Sequence, residues 1–207
     1  MSATRLLVLG VVRMHGRAHG YQVRRDLLTW SADKWANVAP GSIYHALKKM
    51  AKEKLLEEVT DEDGDGDGDG EARGPDRTAY QLTPDGETEF QLLLAKSLSE
   101  SNESTQGSYR LVAGITFLPA LPRARATSLL RHQITELRGR RGGAADLLEN
   151  GTDWGQPAHV AEMYRLWVTM IDGMLSWLEG LVSRLESGEY VMADDPGAAF
   201  GEPGSAH

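Results

Sequence analysis

The chain has 207 residues, with 22 Lys and Arg against 30 Asp and Glu, for a formal charge of −8. That length allows one domain or two small ones with a real core, and an apolar content of 41% is ordinary for a folded protein. The absence of cysteine excludes disulfides, thiolate metal sites and cysteine nucleophiles and fits a reducing cytoplasm, and no apolar run approaches the roughly twenty residues that span a bilayer.

The charge is unevenly placed. Residues 1–60 carry ten Lys and Arg and five Asp and Glu, residues 61–71 carry seven acids and no base, and residues 87–207 carry ten bases and sixteen acids. A basic N-terminal region on an acidic protein is a local electrostatic footprint that the mean charge hides.

Residues 4–14 are nearly all apolar and predict a buried helix; no small-residue cleavage site follows, so the segment does not read as a signal peptide. HGRAHG, ending at Gly20, predicts a turn. GYQVRRDLLTW predicts an amphipathic helix with Val23, Leu27 and Trp30 on one face, and SADKWANVAPG a connector. Pro40 suits a helix start, and Ser42 is placed to satisfy free N–H groups there. At 100° per residue, a helix over 41–54 gathers Ile43, Ala46, Leu47 and Met50 on one side. Tyr44, His45, Lys48, Lys49 and Lys52 fill the opposite arc. One face is anchored in a core; the other is a cationic, hydrogen-bonding ridge.

KLLEEVT and RTAYQLT predict two strands. The acidic DEDGDGDGDGEARGPD lies between them, making a β-hairpin wing. Thr83 as N-cap and Pro84 at the first position open the next helix. Residues 99–108 are polar and predict a hinge between domains. Beyond it come a short apolar helix ending near Pro119 and an amphipathic helix in RARATSLLRHQITELRGRR. GGAADLLENGTDWGQP predicts a loosened helix end and a loop. The last helix, about 158–187, carries Val160, Tyr164, Trp167, Ile171, Met174, Leu178, Leu181 and Leu185 in alternating steps of four and three, a heptad seam. It predicts pairing, either between two chains or back within one. The tail, 189–207, predicts disorder.

Helix, helix, basic helix, strand, strand is the order of a winged helix-turn-helix, in which one helix enters the DNA major groove. LLVLGVVRMHGRAHGYQVRRDL, PGSIYHALKKMAKEKLLE and RTAYQLTPDG resemble, in order and spacing over residues 6–86, the winged-helix domain of the PadR family of bacterial transcriptional regulators. The resemblance implies a homodimer bound to a pseudo-palindromic operator in double-stranded DNA, usually as a repressor. It implies Ser42, Tyr44, His45, Lys48 and Lys49 on the recognition helix, Tyr21 and Gln22 approaching the DNA backbone, and Arg73 and Arg77 at the wing. It also implies a small aromatic or apolar effector near dimer-interface aromatics, for which Trp167 and Trp177 are candidates, although core or interface packing explains a single tryptophan more simply.

The acidic loop departs from the family, whose wing is commonly basic. Asp65, Asp67, Asp69 and Gly70 match the start of a calcium loop and Asp76 falls at its twelfth position. That position normally takes Glu and the flanks here are strands, so no metal is assigned. The histidines form no metal set, and no catalytic triad, Walker loop or dinucleotide fingerprint is present. The expectation is therefore a mainly α protein with a small β-hairpin wing, no cofactor and no enzyme activity. A winged helix-turn-helix spans 1–98, an all-α dimerisation and effector domain spans 108–188, and a tail spans 189–207. The alternative is a ligand- or protein-binding scaffold that keeps the fold with weakened DNA binding.

Overall fold

The computed structural model describes residues 3–36, 38–60, 78–100, 105–151, 155–197 and 199–200. The helix α1 (Ala3–His15) is buried at every position from Leu6 to Val12. A helix apolar all round needs neighbours all round, and α1 has them. Packed on it are β1 (Arg17–His19), α2 (Gly20–Thr29), α4 (Pro40–Lys52), β3 (Thr78–Leu82), α5 (Pro84–Ser99) and α6 (Thr105–Thr116). A short α3 (Ala32–Trp35) lies in the connector before α4, where Trp35 Nε1 donates to the Trp30 carbonyl at 2.9 Å.

The sheet has three antiparallel strands in the order β1-β3-β2, with β2 at Leu56–Thr60. Sequence patterning predicts only the β2–β3 hairpin. Gly16, at φ 69, reverses the chain after α1 and lays Arg17–His19 along β3, with Ala18 opposite Tyr80. The turn expected at HGRAHG is thus a turn plus an edge strand. The acidic loop between β2 and β3, with Arg73, Arg77, Asp65, Asp67, Asp69 and Asp76, lies outside the described residues.

Thr83 caps α5 as expected: its Oγ1 accepts from Gly86 N–H at 3.0 Å. The same hydroxyl donates to the Lys54 carbonyl at 2.7 Å, which ties the start of α5 to the end of α4.

The two halves of the chain share one core. Phe117, just after α6, is fully buried. Its ring sits against Gly10 so closely that an added Cβ there would lie 2.3 Å from Phe117 Cζ. It meets Phe90 and Trp30 edge-on, with centroids 5.8 and 5.9 Å away. Arg13 lies over the Phe90 ring at 5.3 Å, and its Nε donates to both carboxylate oxygens of Glu87 at 3.0 Å. The polar stretch at 99–108 therefore does not separate independent cores: α6 packs on α1 and α5.

The helical half is an antiparallel hairpin of α7 (Arg123–Asn150) and α8 (Ala161–Glu186). The direction follows from the ion pairs Arg131–Glu186, Arg138–Glu179 and Arg141–Asp172, which rise along one helix as they fall along the other. The Arg141 hydrogen bond, and after it the Arg141 charge, holds the Asp172 carboxyl below the usual carboxylate range. Where a loosened end was expected, α7 continues helical through Gly142 and Gly143, whose Cα positions face open space. On α8, Tyr164, Leu178, Leu181 and Leu185 are buried within the chain. These four positions of the heptad seam therefore serve the intrachain hairpin and are not free for a second subunit.

The tail expected from Glu189 is packed over its described part. Met192 is fully buried, Ala199 is buried, and Phe200 stacks on Phe117 with centroids 6.2 Å apart. Residues 201–207 lie outside the described residues.

Phe117→Ala should cost about 3–5 kcal/mol, as expected for deletion of a fully buried aromatic ring. In urea unfolding followed by both far-ultraviolet circular dichroism and tryptophan emission, both signals should shift together. Separate transitions, with only one of them moved, would mean that the halves fold independently.

Candidate nucleic-acid interface

Two periodicities position α4. Ile43, Leu47 and Met50 are at most 1% exposed and pack into the core with α1 and α2. His45, Lys48, Lys49 and Lys52 are exposed on the other side. Pro40 stands at the first turn, as expected. Ser42 does not cap the helix as expected; its Oγ donates back to the Ala39 carbonyl at 2.6 Å.

Tyr44 departs from the simple ridge picture. It is half-buried, and Gly20 leaves room for its ring: a Cβ on Gly20 would lie 2.6 Å from Tyr44 Cε1. The glycine of HGY and the tyrosine of PGSIYHAL are thus one contact, made where α2 begins and α4 passes over it. Gln22 turns its Oε1 inward to accept from His19 N–H at 2.8 Å, which fixes the start of α2. Tyr21 is 48% exposed and stacks on the His19 ring, centroids 5.6 Å apart. Ser42, His45, Lys48 and Lys49 therefore share the exposed face of α4, and Tyr21 is exposed on α2. Tyr44 and Gln22 act partly as fixtures.

An open groove of about 750 Å³ runs between α4 and β2. His45, Lys48, Lys49 and Lys52 form one wall, and Glu57 and Glu58 line the other. The two glutamates were not singled out from the sequence, because strand alternation shows which residues face outward but not which neighbouring helix they oppose. Glu58 stands opposite Tyr80, whose phenol is pushed up from its ordinary pKa by burial and then by the Glu58 charge. At the end of α4, Arg5 bridges Glu53 at 2.6 Å and Glu89 at 2.9 Å. Glu53 is also 4.0 Å from Lys49. Arg5 thereby offsets the one acid at the C-terminal end of the ridge.

Among the described residues no cluster of His, Asp or Glu could hold a metal ion, and no helix is long and apolar enough to cross a membrane.

A buried-face helix with a cationic outer face, followed by an antiparallel wing, is the arrangement expected for a groove-entering helix. Residues 8–92 match the transcriptional regulator PadR-like family. Those residues are a PadR-like domain. Solved structures resemble the chain over most of its length at low identity. They include Bacillus subtilis PadR in complex with operator DNA, at 19% identity and a TM-score of 0.38, covering 87% of this chain and 98% of that one. The same protein in complex with p-coumaric acid matches at 18% identity and 0.35, covering 89% and 99%. A PadR-like transcriptional regulator from Bacillus cereus matches at 14% identity and 0.36, covering 89% and 99%. No curated protein matches the chain.

Within the PadR-like domain the Gly20–Tyr44 contact is open to a direct test. Gly20→Ala should cost about 1–3 kcal/mol, the range for overfilling a packed site. In a Tyr44→Ala background, with the ring gone, the same change should cost far less, and urea denaturation of the four proteins in this cycle measures the coupling. Equal costs in both backgrounds would show that the ring does not occupy this space.

Proposed function

We propose that this chain is a sequence-specific, DNA-binding transcriptional repressor that acts as a homodimer on a pseudo-palindromic operator. The observation that carries the reading is the two-faced α4, whose apolar side is fixed in the core and whose outer side presents His45, Lys48, Lys49 and Lys52. In this reading the lysines would reach phosphates and set register, while His45 and Ser42 would reach base edges or backbone. In this mode Tyr21 meets the backbone beside the recognition helix, and Arg73 and Arg77 supply the wing contacts.

The second subunit would pair along α8. Intrachain packing leaves an apolar stripe open there: Met163 at 40%, Leu166 at 58%, Trp167 at 44%, Met170 at 63% and Trp177 at 41% exposed. A continuous row of large apolar side chains on one helix is a partner surface more often than a solvent face. Of the heptad seam, Trp167 belongs to this stripe, whereas Val160, Ile171 and Met174 are partly buried between the two faces. The exposure of Trp167 and Trp177 supports interface packing; an aromatic or apolar effector would be read at these side chains once a partner encloses them. Pairing would set two α4 helices near one turn of B-DNA apart, roughly 34 Å.

Glu57 and Glu58, lining the same groove as the lysines, favour a second reading, a ligand- or protein-binding scaffold with weakened DNA affinity. Salt separates the two. On DNA from the intergenic region upstream of the gene, multi-phosphate contact gives a steep linear fall of log K with log salt. Lys48→Ala with Lys49→Ala should weaken binding at least tenfold and flatten that slope by about two. No retardation by the parent chain even at low salt supports the scaffold, and unaltered binding by the double variant removes α4 from the interface.

The dimer has its own test. Met170→Asp places a charge in the middle of the stripe and should yield monomers in sedimentation velocity at micromolar concentration, with the helical signal unchanged. A dimer that survives this change pairs through another surface.

A further inference from the structure

We infer that residues 189–197, together with Ala199 and Phe200, act as a strap that fixes the helical arm to the winged helix and so sets the angle at which the arm holds α4. The segment starts with a stop signal. Gly188, at φ 79, ends α8 with N–H bonds from Gly188 to the Leu185 carbonyl and from Glu189 to the Arg184 carbonyl, both 3.1 Å. This paired pattern with a left-handed glycine turns the chain sharply back.

The returning chain is held by one arginine. Arg123 is the first residue of α7, and its guanidinium donates to the Leu185 and Tyr190 carbonyls and to Asp195 Oδ2. Its backbone N–H donates to Asp194 Oδ1 at 2.8 Å. The residue before α7 is Pro122, whose side chain cannot cap the helix, so Asp194 supplies from 71 residues away the acceptor that an N-terminal turn requires. Asp195 also accepts from Met192 N–H at 2.9 Å, and Ala193 N–H donates to the Leu121 carbonyl at 3.2 Å. Met192, between these bonds, is fully buried.

The far end crosses to the other half of the molecule. Phe200 lies parallel to Phe117 and edge-on to Trp30 at 5.7 Å. Trp30 caps the C-terminal end of α2, the helix that α4 packs against, and Phe117 is seated on α1 at Gly10. The strap thus touches the base of the α7–α8 arm through Arg123 and the winged helix through Trp30. A rigid link at both ends restricts rotation between them; a link held at one end does not.

The absence of cysteine allows the angle to be measured directly. Arg24→Cys on α2 and Glu136→Cys on α7, both exposed, carry spin labels, and each labelled chain is diluted with unlabelled chain so that intrachain distances dominate. The full chain should give one narrow distance distribution. Phe200→Ala, which removes only the far contact, should broaden or shift it, and a chain ending at Gly188 should do so further. The same distribution in all three proteins overturns the inference. Phe200→Ala guards against a truncated chain that simply fails to fold. The consequence for regulation rests on the repressor reading: both variants should then lose at least tenfold in operator affinity while remaining dimeric. A parent chain that binds no DNA would sink that reading and leave the distance result to judge the strap.

Discussion

The insertion of Phe117 at Gly10 is the contact on which the rest of this molecule depends. An α-helix normally keeps neighbours at a distance set by its Cβ atoms; a single glycine in α1 removes one and lets an aromatic ring reach the helix backbone. Everything that must be held in register then meets at this ring. Phe90 brings α5, Trp30 brings α2, and Phe200 brings the end of the chain. The α4 helix is two contacts away, through α1 and α2. In a close-packed interior a displacement at one member is felt by its neighbours, because no void absorbs it. The cluster is therefore a contiguous packed connection between the helical arm and the helices that carry α4.

The electrostatics of the outer face are a contest between one helix and one strand. Three lysines on α4 face a groove whose other wall carries Glu57 and Glu58. In water, charges this close to the surface are screened over about a Debye length, roughly 8–10 Å at ordinary salt. A phosphate backbone lying along the ridge would meet the lysines at contact distance and the glutamates across the groove, so the near wall dominates. A ligand seated deep in the groove would meet both walls. The lysine wall and the glutamate wall would therefore act oppositely on an anion according to how deep in the groove it sits.

Periodicity made the α4 face legible, because Ile43, Leu47 and Met50 must share a side of any helix and the lysines then have no choice. The Thr83–Pro84 start of α5 was legible for the same kind of reason, since local capping chemistry fixes it within one turn. The third strand was not: Arg17–His19 is too short to show alternation, and its partners lie sixty or more residues away at β3. The half-buried placement of Gln22 and Tyr44 was not legible, because side-chain roles at a helix start depend on what packs there, here His19 and Gly20. The packed end of the chain was also hidden. Its Pro, Gly and Asp content resembles that of unfolded segments, and only the position of Arg123, in a different helix, gives its two aspartates a partner.

The helix α8 shows why a heptad alone does not specify a partner. Val160, Tyr164, Trp167, Ile171, Met174 and Leu178 form one seam, and Met163, Trp167, Met170, Met174 and Trp177 form another, rotated by about one position around the same helix. Trp167 and Met174 sit in both, so the apolar sector is wider than a two-helix contact can cover. Tyr164, Leu178, Leu181 and Leu185 are buried on the side where α7 packs, which the ion pairs at Asp172, Glu179 and Glu186 fix. Met163, Leu166, Trp167, Met170 and Trp177 remain exposed on the rest of the sector. Sequence periodicity counts the apolar sector; the side on which the salt bridges fall divides it between the chain's own hairpin and the exposed face.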